Sequence, residues 1–482
     1  MKIAQVIILF VPDFTGGASI LCANISEALA KKNEVEVFCG RIDPSSPLLH
    51  LKKYNYKSVK VTSINTYSFF DIDKIENYYN PQIDNYFMNF IEKFNPDIIH
   101  FHALQGLGAT LIEIAKQKNI PFTITMHDWW WLCPRLFMAI SQKVCSSVIN
   151  FESCNCGIEK NFLQNRYQYL QKVIKNVKFL VPSNYLKNSL IDNKFNSENI
   201  LVNENGIFHQ PNNLNKITSN VVRFGYLGGG NPLKGFLFLL ECFQKIKNEN
   251  WILKLYGYSN IISLEEQKKC STNIKFLSSF SPNKLEEILS SIDMVIVPSI
   301  VRESFSLVTR EAMQYKIPVI ASDCGGPEEI IKHLKNGLIF KTLDADSFIS
   351  CINLVIKEYP DILSHFKENI DIAQIKTIEQ QTKELEKKYD IIIKNKQNIF
   401  NLQKYKTNCE DLNKINWISE EHHYLYKRKD GFTFYLDKAF LHLLTNINFD
   451  AIHEQMNILF QLSQEEVNEM IDILIKLELI KK

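Results

Sequence analysis

The sequence predicts an α/β fold of two Rossmann-like domains followed by a small α+β module. Two stretches of the 482-residue chain, residues 3–29 and 221–246, begin alike: a short apolar run leads into consecutive glycines and then an amphipathic helix. Each resembles the opening of a doubly wound parallel sheet. Near Ile415 the pattern changes to a hairpin and short helices, which predicts the separate module.

The first domain is predicted to span residues 1–180. Its opening apolar run, residues 3–10, is broken only by Gln5 and is typical of a buried parallel strand. Gly16 and Gly17 then make the turn into a helix. The sheet is predicted to continue through further apolar runs at residues 35–38, 97–102 and 122–126, with a helix at 107–118.

The second domain is predicted over residues 181–400, with a first strand at 221–227 that runs into three glycines. Strands separated by helices follow at residues 251–256, 273–277, 294–298 and 318–321. The polar helical pattern of residues 361–408 predicts helices that close this domain and lead into a connector. Parallel strands end at one edge of a sheet, so we expect two facing domains with a cleft between them.

The module at residues 415–482 is predicted to be winged-helix-like. Its hairpin turns at Asp430-Gly431, a pair that supplies the positive φ values of a tight turn. Ser463 and Glu466 form a capping box that marks the start of the last helix. The predicted strands are residues 424–426 and 432–436, and the predicted helices are 438–444, 449–459 and 463–477.

The composition excludes several functional classes. Lys and Arg total 55 against 53 Asp and Glu, so a net charge of +2 provides no global field for nucleic acid or an anionic membrane. We expect no transmembrane segment, because no apolar stretch is long enough to span a bilayer. The 11 cysteines, without a secretory signal, favour reduced thiols and a cytoplasmic protein, or one peripheral to the inner membrane.

Two glutamates mark the most informative segment of the sequence. Glu303 and Glu311 have seven residues between them, the first on a loop after a buried strand and the second in a helix predicted to begin near Phe305. The free backbone N–H groups at the start of that helix would attract an anion. Carboxylates beside such an anion site accept hydrogen bonds from sugar or ribose hydroxyls.

This spacing resembles the E-x7-E signature of the retaining glycosyltransferases of family 4, which have the GT-B fold. Other parts of the chain resemble the same family in order and spacing, over about residues 1–345. They are Gly16-Gly17, His102, residues 125–130, residues 181–183, residues 205–207, Lys234-Gly235 and residues 336–338.

The resemblance implies roles for the matching residues. Glu311 would bind the ribose hydroxyls of a nucleotide-sugar donor, and Glu303 would hold the transferred sugar and the diphosphate. Lys234 would meet the diphosphate as a point charge, which stabilises the leaving nucleotide. His127 would face the transferred sugar from the first domain. Backbone groups that complete the donor site would come from Gly16, Gly17, Gly229, Phe305, Ser306 and Leu307.

One position departs from the family pattern. The family commonly has Arg beside the glycine of the second glycine-rich turn, where this chain has Gly229. Either Arg302 or Arg310 supplies the positive charge instead, or the glycine loop offers more backbone donors. No metal or other cofactor is expected, because the helix N-terminus and Lys234 would offset the leaving group's charge and no Asp-x-Asp pair stands in a suitable context.

Several residues allow a second interpretation. His102 is either a satisfied core histidine or a residue of the site. Trp129, Trp130 and Trp131 either pack between domains, which is favoured, or form a platform for acceptor sugar rings. Four cysteines with C-x11-C-x8-C-x-C spacing would suit zinc, but they lack C-x2-C pairs, so reduced thiols are favoured. These four are Cys133, Cys145, Cys154 and Cys156.

The resemblance implies a retaining transferase that moves a sugar from a nucleotide-diphosphate sugar to a glycan, lipid-linked or peptide acceptor. A UDP-sugar is preferred over a GDP-sugar. With no evident nucleophile for a double displacement, the favoured mechanism is front-face attack, in which a diphosphate oxygen helps to take the acceptor's proton. A non-catalytic nucleotide-sugar-binding scaffold or sensor is the alternative, although the two glutamates, Lys234 and His127 argue against it.

The C-terminal module resembles the small winged-helix-like domains of the PqqD type, which bind leader peptides. The resemblance is carried by the hairpin, by Leu436-Asp437 and by the apolar end of the last helix. It implies a peptide acceptor held by strand addition at the hairpin edge. The alternative is a stabilising or dimer-forming appendage, so a homo-oligomer stays open. Acidic residues in the helix at 463–477 disfavour DNA binding.

Overall fold

The computed structural model describes residues 1–13, 16–66, 69–140, 143–208, 214, 219–229, 231–258, 262–281, 284–403, 418–420, 423–427 and 433–437. The chain divides into two compact units, Met1–Lys388 and Tyr389–Lys482. The first unit contains two large, mainly parallel sheets with helices around them, which confirms the predicted fold class.

The first sheet has the strand order β10-β9-β6-β5-β1-β2-β4-β3. Its neighbours are parallel except for β3, which runs antiparallel to β4, while β7 and β8 form a separate hairpin. The strands are β1 (Lys2–Ile7), β2 (Glu34–Arg41), β3 (Leu51–Tyr56), β4 (Val59–Asn65), β5 (Ile98–Phe101), β6 (Phe122–Thr125), β7 (Ala139–Ile140), β8 (Lys143–Val144), β9 (Phe179–Val181) and β10 (Ile200–Val202). The helices are α1 (Gly17–Ala30), α2 (Asp84–Phe94), α3 (Thr110–Gln117), α4 (Lys160–Val173) and α5 (Asn184–Asp192).

The predicted boundary at residue 180 falls inside strand β9 of the first sheet. Strands β9 and β10 belong to the first sheet, because Phe179 pairs with Ile124 of β6 and Ile200 pairs with Phe179. A three-residue apolar strand does not reveal in its own sequence which sheet it will join. The first domain therefore continues through Val202.

The second sheet is entirely parallel, in the order β13-β12-β11-β14-β15-β16. Its strands are β11 (Val222–Tyr226), β12 (Trp251–Tyr256), β13 (Ile274–Leu277), β14 (Met294–Val297), β15 (Val319–Ser322) and β16 (Gly337–Phe340). Its helices are α6 (Phe236–Gln244), α7 (Leu264–Lys268), α8 (Leu285–Ser290), α9 (Leu307–Gln314), α10 (Ala345–Lys357) and α11 (Asp361–Glu368). The central strands β11 and β14 are buried throughout, as the continuous apolar patterns predict.

The long helix α12 (Ile378–Gln403) returns to the first domain. The Gln381 side chain accepts a hydrogen bond from the backbone N–H of Gly206 at 2.7 Å, and Glu386 accepts one from Asn33 at 2.8 Å. Gly206 has no space for a side chain, because an added Cβ would lie 2.3 Å from the carbonyl oxygen of Thr377. The start of α12 thus ties the end of the second domain to the first.

In the second unit, strands β17 (Ile418–Glu420), β18 (His423–Lys427) and β19 (Thr433–Asp437) form an antiparallel sheet. The pairing of β18 with β19 matches the predicted hairpin. Its predicted Asp-Gly turn, the three helices and the capping box at Ser463 and Glu466 lie outside the described residues. No helix in the described ranges is long and apolar enough to cross a membrane.

Candidate active site

The first turns of α1 and α9 lie next to each other in the first unit. A Cβ added to Gly17 would lie 3.8 Å from Cδ1 of Leu307, so the start of one helix from each domain lines the same part of the cleft. Gly16 and Ser306 stand at the two N-cap positions, and neither helix has a side-chain cap. The leading backbone N–H groups of both helices therefore remain available to an anion, with both positive helix ends close by.

Helix α9 begins at Leu307, two positions after the predicted start near Phe305. The difference arises at Ser306, whose φ of 65° and ψ of 88° are left-handed and interrupt the helix there. The Ser306 hydroxyl lies 2.8 Å from the Thr309 hydroxyl and so does not cap the helix. Phe305 is buried, and its ring lies beneath the Arg310 guanidinium. The loop is thus anchored by Phe305 and turned by Ser306.

Lys234 and Glu303 form an ion pair although they are 69 positions apart in the sequence. The Lys234 ammonium lies 2.6 Å from Oε1 of Glu303 and 5.3 Å from the centre of the Phe137 ring, which belongs to the first domain. The Ser299 hydroxyl donates a hydrogen bond to the same Glu303 oxygen. Glu303 is only 8% exposed, so the two donors balance a charge that would otherwise be buried alone.

The backbone around this ion pair is held closely. Gly235 adopts a φ of 83°, and a Cβ there would lie 1.8 Å from the carbonyl oxygen of Pro298. Only glycine allows this approach, which places Lys234 beside the end of β14. The Glu303 N–H donates to the Cys324 carbonyl at 2.8 Å, and the Gly326 N–H donates to the Glu303 carbonyl at 2.8 Å. Both charged side chains are thus presented from a rigid backbone.

Glu311 lies in α9 and is half-buried. Burial raises the pKa of its carboxyl to about 7. Within the described part of the chain, this carboxyl makes no hydrogen bond or ion pair. The oxygens of Glu311 are therefore available to hydroxyl groups of a ligand.

The two arginines considered as substitutes for the missing family Arg differ in how fully their guanidinium groups are hydrogen-bonded. Arg310 is 5% exposed and donates to the carbonyls of Phe305 and Gly326, the latter at 3.1 Å. Arg302 donates to the carbonyl of Cys145 at 2.8 Å. Arg310 therefore supports backbone around the site, whereas Nη1 of Arg302 is buried without a hydrogen-bond partner among the described residues.

Gly229 belongs to a loop shaped by two tyrosines. Its φ is 67°, and no atom lies within 4 Å of the position that a Cβ would take. The carbonyl oxygen of Gly229 accepts hydrogen bonds from the hydroxyls of Tyr226, at 3.3 Å, and of Tyr258. The loop is therefore held through its carbonyl, and the space beside its Cα is open.

His127 follows β6 and is hydrogen-bonded to His102, which follows β5. Nε2 of His127 lies 2.9 Å from Nδ1 of His102, and Nε2 of His102 lies 2.7 Å from Oε1 of Gln5 on β1. Burial lowers the pKa of His127 to about 4 and that of His102 well below its ordinary value, so both rings are neutral near pH 7. His102 is therefore a satisfied buried histidine that also contacts the predicted site.

Trp129, Trp130 and Trp131 are all at most 2% exposed. Trp129 donates its indole N–H to the Ser189 hydroxyl at 2.8 Å, and Trp130 donates to the Asn77 side chain at 3.0 Å. The three rings pack inside the core of the first domain. The favoured interpretation of packing between the domains is wrong, because the rings pack within one domain, and their burial leaves no exposed face for an acceptor sugar.

The cysteine-rich loop contacts the Glu303 loop. Cys145 accepts the hydrogen bond from Arg302, and Ala139 of β7 packs against Ile300 and Val301. The four cysteines of the loop are unpaired, and burial raises the pKa of Cys133 to about 11. In the described ranges, no group of three or more His, Cys, Asp or Glu side chains is placed to hold a metal ion.

Two polar residues of the site were not predicted from the sequence. Ser299, directly after the predicted strand end, holds Glu303. Gln5, the single polar residue in the first apolar run, holds His102. The position of Gln5 was a usable signal, because a polar side chain inside a buried strand needs a hydrogen-bond partner.

Comparisons with known proteins match both domains. A family model described as Glycosyltransferase Family 4 matches residues 15–210, and one described as Glycosyl transferases group 1 matches residues 211–371. Together they span well over half of the chain.

Similar proteins include an uncharacterized glycosyltransferase of Methanocaldococcus jannaschii, 24% identical over 74% of this chain and 90% of its own length. For a second uncharacterized glycosyltransferase of that organism, also 24% identical, the match covers 52% of this chain and 63% of the relative. The lipopolysaccharide 1,2-N-acetylglucosaminetransferase of Salmonella typhimurium is 28% identical over 38% of this chain and 53% of its own length.

Solved structures share the fold at low identity. Sucrose-phosphate synthase from Thermosynechococcus elongatus superposes with a TM-score of 0.61 at 17% identity, over 81% of this chain and 99% of the other. Anabaena HepE, solved in complex with UDP and glucose, superposes with a TM-score of 0.57 at 15% identity, over 81% of this chain and 99% of HepE. These similarities support the predicted GT-B fold of facing Rossmann-like domains.

Proposed function

The chain belongs to the glycosyltransferases of GT-B fold, and we propose that it transfers a sugar from a nucleoside-diphosphate sugar to an acceptor bound by the first domain, with retention of the anomeric configuration. The observation that carries the proposal is the meeting of two uncapped helix N-termini at Gly17 and Leu307. Two sets of free N–H groups and two positive helix ends suit a diphosphate, which carries charge on both phosphoryl groups.

The ion pair of Lys234 and Glu303 provides the charges that the reaction needs. Each charge satisfies the other at 2.6 Å. A donor diphosphate would take over the Lys234 ammonium and leave Glu303 to accept hydrogen bonds from the sugar hydroxyls. As the bond between the sugar and the diphosphate breaks, negative charge grows on the leaving oxygen, and Lys234 stabilises it.

Glu311 is proposed to bind the ribose of the nucleotide. Its half-buried carboxyl has no partner among the described residues, and α9 carries it on the same helix whose first turn would meet the diphosphate. A carboxylate that accepts two ribose hydroxyl hydrogens would recover the hydration that burial removes. A UDP-sugar is the preferred donor, supported by the complexes of HepE with UDP and with UDP-glucose.

Retention is proposed to follow from attack on the same face as the leaving diphosphate. The acceptor hydroxyl would lose its proton to a diphosphate oxygen while the bond to the leaving group breaks, so the proton and the negative charge end on the same group. His127 is neutral, because burial lowers its pKa to about 4, and it would bind the transferred sugar without taking this proton. No cofactor is required in this scheme.

Two proposals for the class of acceptor differ in the role of the C-terminal module. A PqqD-like module would hold a peptide acceptor along a hairpin edge, and an appendage would leave a glycan or lipid-linked acceptor to the first domain. Strands β18 and β19 provide a hairpin for strand addition, which supports the first.

The proposed function is tested by incubating the full-length protein with a panel of UDP- and GDP-sugars and measuring nucleotide release with and without cell extract. Mass spectrometry identifies the product, and NMR of its anomeric proton reports the configuration. We expect release from at least one UDP-sugar and a product that retains the donor's configuration. A product of inverted configuration would reject the front-face mechanism, and binding of donors without any transfer or hydrolysis would favour a sensor.

A further inference from the structure

A line of three polar side chains runs from the interior of the first sheet to the cleft. Gln5 on β1 is fully buried, His102 is 1% exposed and His127 is half-buried at the cleft end. The contacts that join them are 2.7 Å from Gln5 to His102 and 2.9 Å from His102 to His127. These distances are those of hydrogen bonds, so three of the four ring nitrogens of His102 and His127 are engaged within the line.

The amide oxygen of Gln5 determines where the protons lie. The Gln5 amide is oriented with Oε1 toward His102, and its Nε2 is buried without a hydrogen-bond partner among the described residues. Oε1 can only accept, so in this orientation Nε2 of His102 carries a hydrogen. A neutral imidazole carries one hydrogen, which leaves Nδ1 of His102 as an acceptor. Nε2 of His127 must then donate to it, and Nδ1 of His127 keeps its lone pair.

The surroundings keep the line uncharged. His100 stacks on His102 with ring centres 4.1 Å apart, and Nε2 of His100 is hydrogen-bonded to the Thr125 hydroxyl at 2.7 Å. His100 and His102 are both buried, so a proton added to either ring would be poorly solvated and would face the other histidines. The line therefore holds a tautomer and does not store charge.

We propose that Gln5 and His102 are positioning residues that hold His127 as its Nε2–H tautomer. Nδ1 of His127 makes no hydrogen bond within the described residues, and as a lone-pair acceptor it receives a hydrogen bond from a hydroxyl group of the transferred sugar. This inference rests on the proposed function for its ligand, a hydroxylated sugar of the donor. It assigns to the buried Gln5 a part in sugar recognition that a purely structural glutamine would not have.

The tautomer is measured directly on the full-length protein. Imidazole nitrogen-15 NMR distinguishes protonated nitrogens from those that keep a lone pair. The chain has 11 histidines, and a difference spectrum against His127→Ala isolates the signals of His127. We expect a protonated Nε2 and an unprotonated Nδ1. A hydrogen on Nδ1, as the opposite orientation of the Gln5 amide would produce, overturns the proposal whether or not the protein transfers sugar.

Paired variants of Gln5 test the consequence for the sugar. Gln5→Glu keeps an acceptor for His102, whereas Gln5→Met keeps the approximate size and removes the acceptor. We expect Gln5→Met to populate both His127 tautomers and to raise the KM for the donor about tenfold, while the affinity for free UDP stays unchanged and Gln5→Glu keeps the wild-type tautomer. Equal losses of UDP affinity and melting temperature in both variants would reject positioning in favour of a structural role. If no donor is turned over, the proposed function fails, and the NMR result still decides the tautomer.

Discussion

The two sides of the cleft differ in charge. The second domain contributes charged side chains, Lys234, Glu303 and Glu311, whereas the first contributes a glycine turn and the neutral His127. The difference matches two chemical tasks. Stabilising a departing diphosphate requires charge, and recognising a sugar requires hydrogen bonds whose donors and acceptors do not change. Changes on the charged side should therefore affect turnover most.

The largest effect is expected from Lys234→Ala. The variant loses the positive charge that meets the leaving diphosphate, and turnover should fall about 10²- to 10³-fold. Melting temperature should fall less than turnover, because the ammonium is partly exposed and Ser299 still donates to Glu303, although this buried carboxylate loses one of its two donors. Lys247→Ala, an exposed lysine after α6, is the matched control. Unfolding of the variant with full activity per folded molecule would show that Lys234 is structural.

The next effect is expected from Glu311→Gln on donor binding. The neutral amide accepts more weakly from ribose hydroxyls, and loss of a charged acceptor costs about 1.5–3 kcal/mol, so the Kd for the nucleotide should rise at least about tenfold. Calorimetric titration with UDP measures it. Glu287→Gln, on the exposed face of α8, should bind as the wild type does. An unchanged Kd for Glu311→Gln would remove the ribose assignment.

The same substitution should have the opposite effect on stability without ligand. Burial raises the pKa of Glu311 from 4.5 to about 7, so the folded protein binds this proton more tightly than the unfolded chain. The carboxyl therefore destabilises the fold progressively as the pH rises from about 4.5 to 7. Glu311→Gln should be more stable than wild type by about 1–3 kcal/mol at pH 8 and by little at pH 4.5. Urea unfolding at both pH values checks this, and a difference independent of pH would contradict it.

The smallest effect is expected from removing the second unit's strands. A chain that ends after Gln403, at the end of α12, keeps both domains and every residue assigned to the donor. Its donor affinity and donor hydrolysis should stay within about twofold of the full chain, because every residue assigned to the donor precedes the end of the shortened chain. Transfer to the native acceptor should fall if the module recruits it. Weaker donor binding would place part of the donor site in the module.

Much of the site was predictable because its signals are local. The glycines at 16–17 and 228–229, the helix after Ser306 and the E-x7-E spacing are each contained in a short segment, and short segments determine turns and helix starts. The predicted start of α9 was two residues early because the left-handed Ser306 has no marker in its residue type.

No single segment of the sequence predicts that Lys234 pairs with Glu303, or where the Arg310 side chain lies. Lys234 and Glu303 meet because β11 and β14 are neighbours in the sheet. From the sequence alone, Arg310 could either contact a ligand or support the backbone. Its burial against Phe305 shows that it supports the backbone.

The sequence by itself determined two strand–glycine–helix openings, the order of the motifs and the class of ligand that they suit. The tertiary structure decided that β9 and β10 join the first sheet, that the three tryptophans pack within one domain, and that Gln5 reaches His102 across 97 positions. The physical reason is the range of the interactions. Turns and helix ends depend on a few neighbouring residues, whereas sheet order and buried hydrogen bonds depend on which distant segments share the same core.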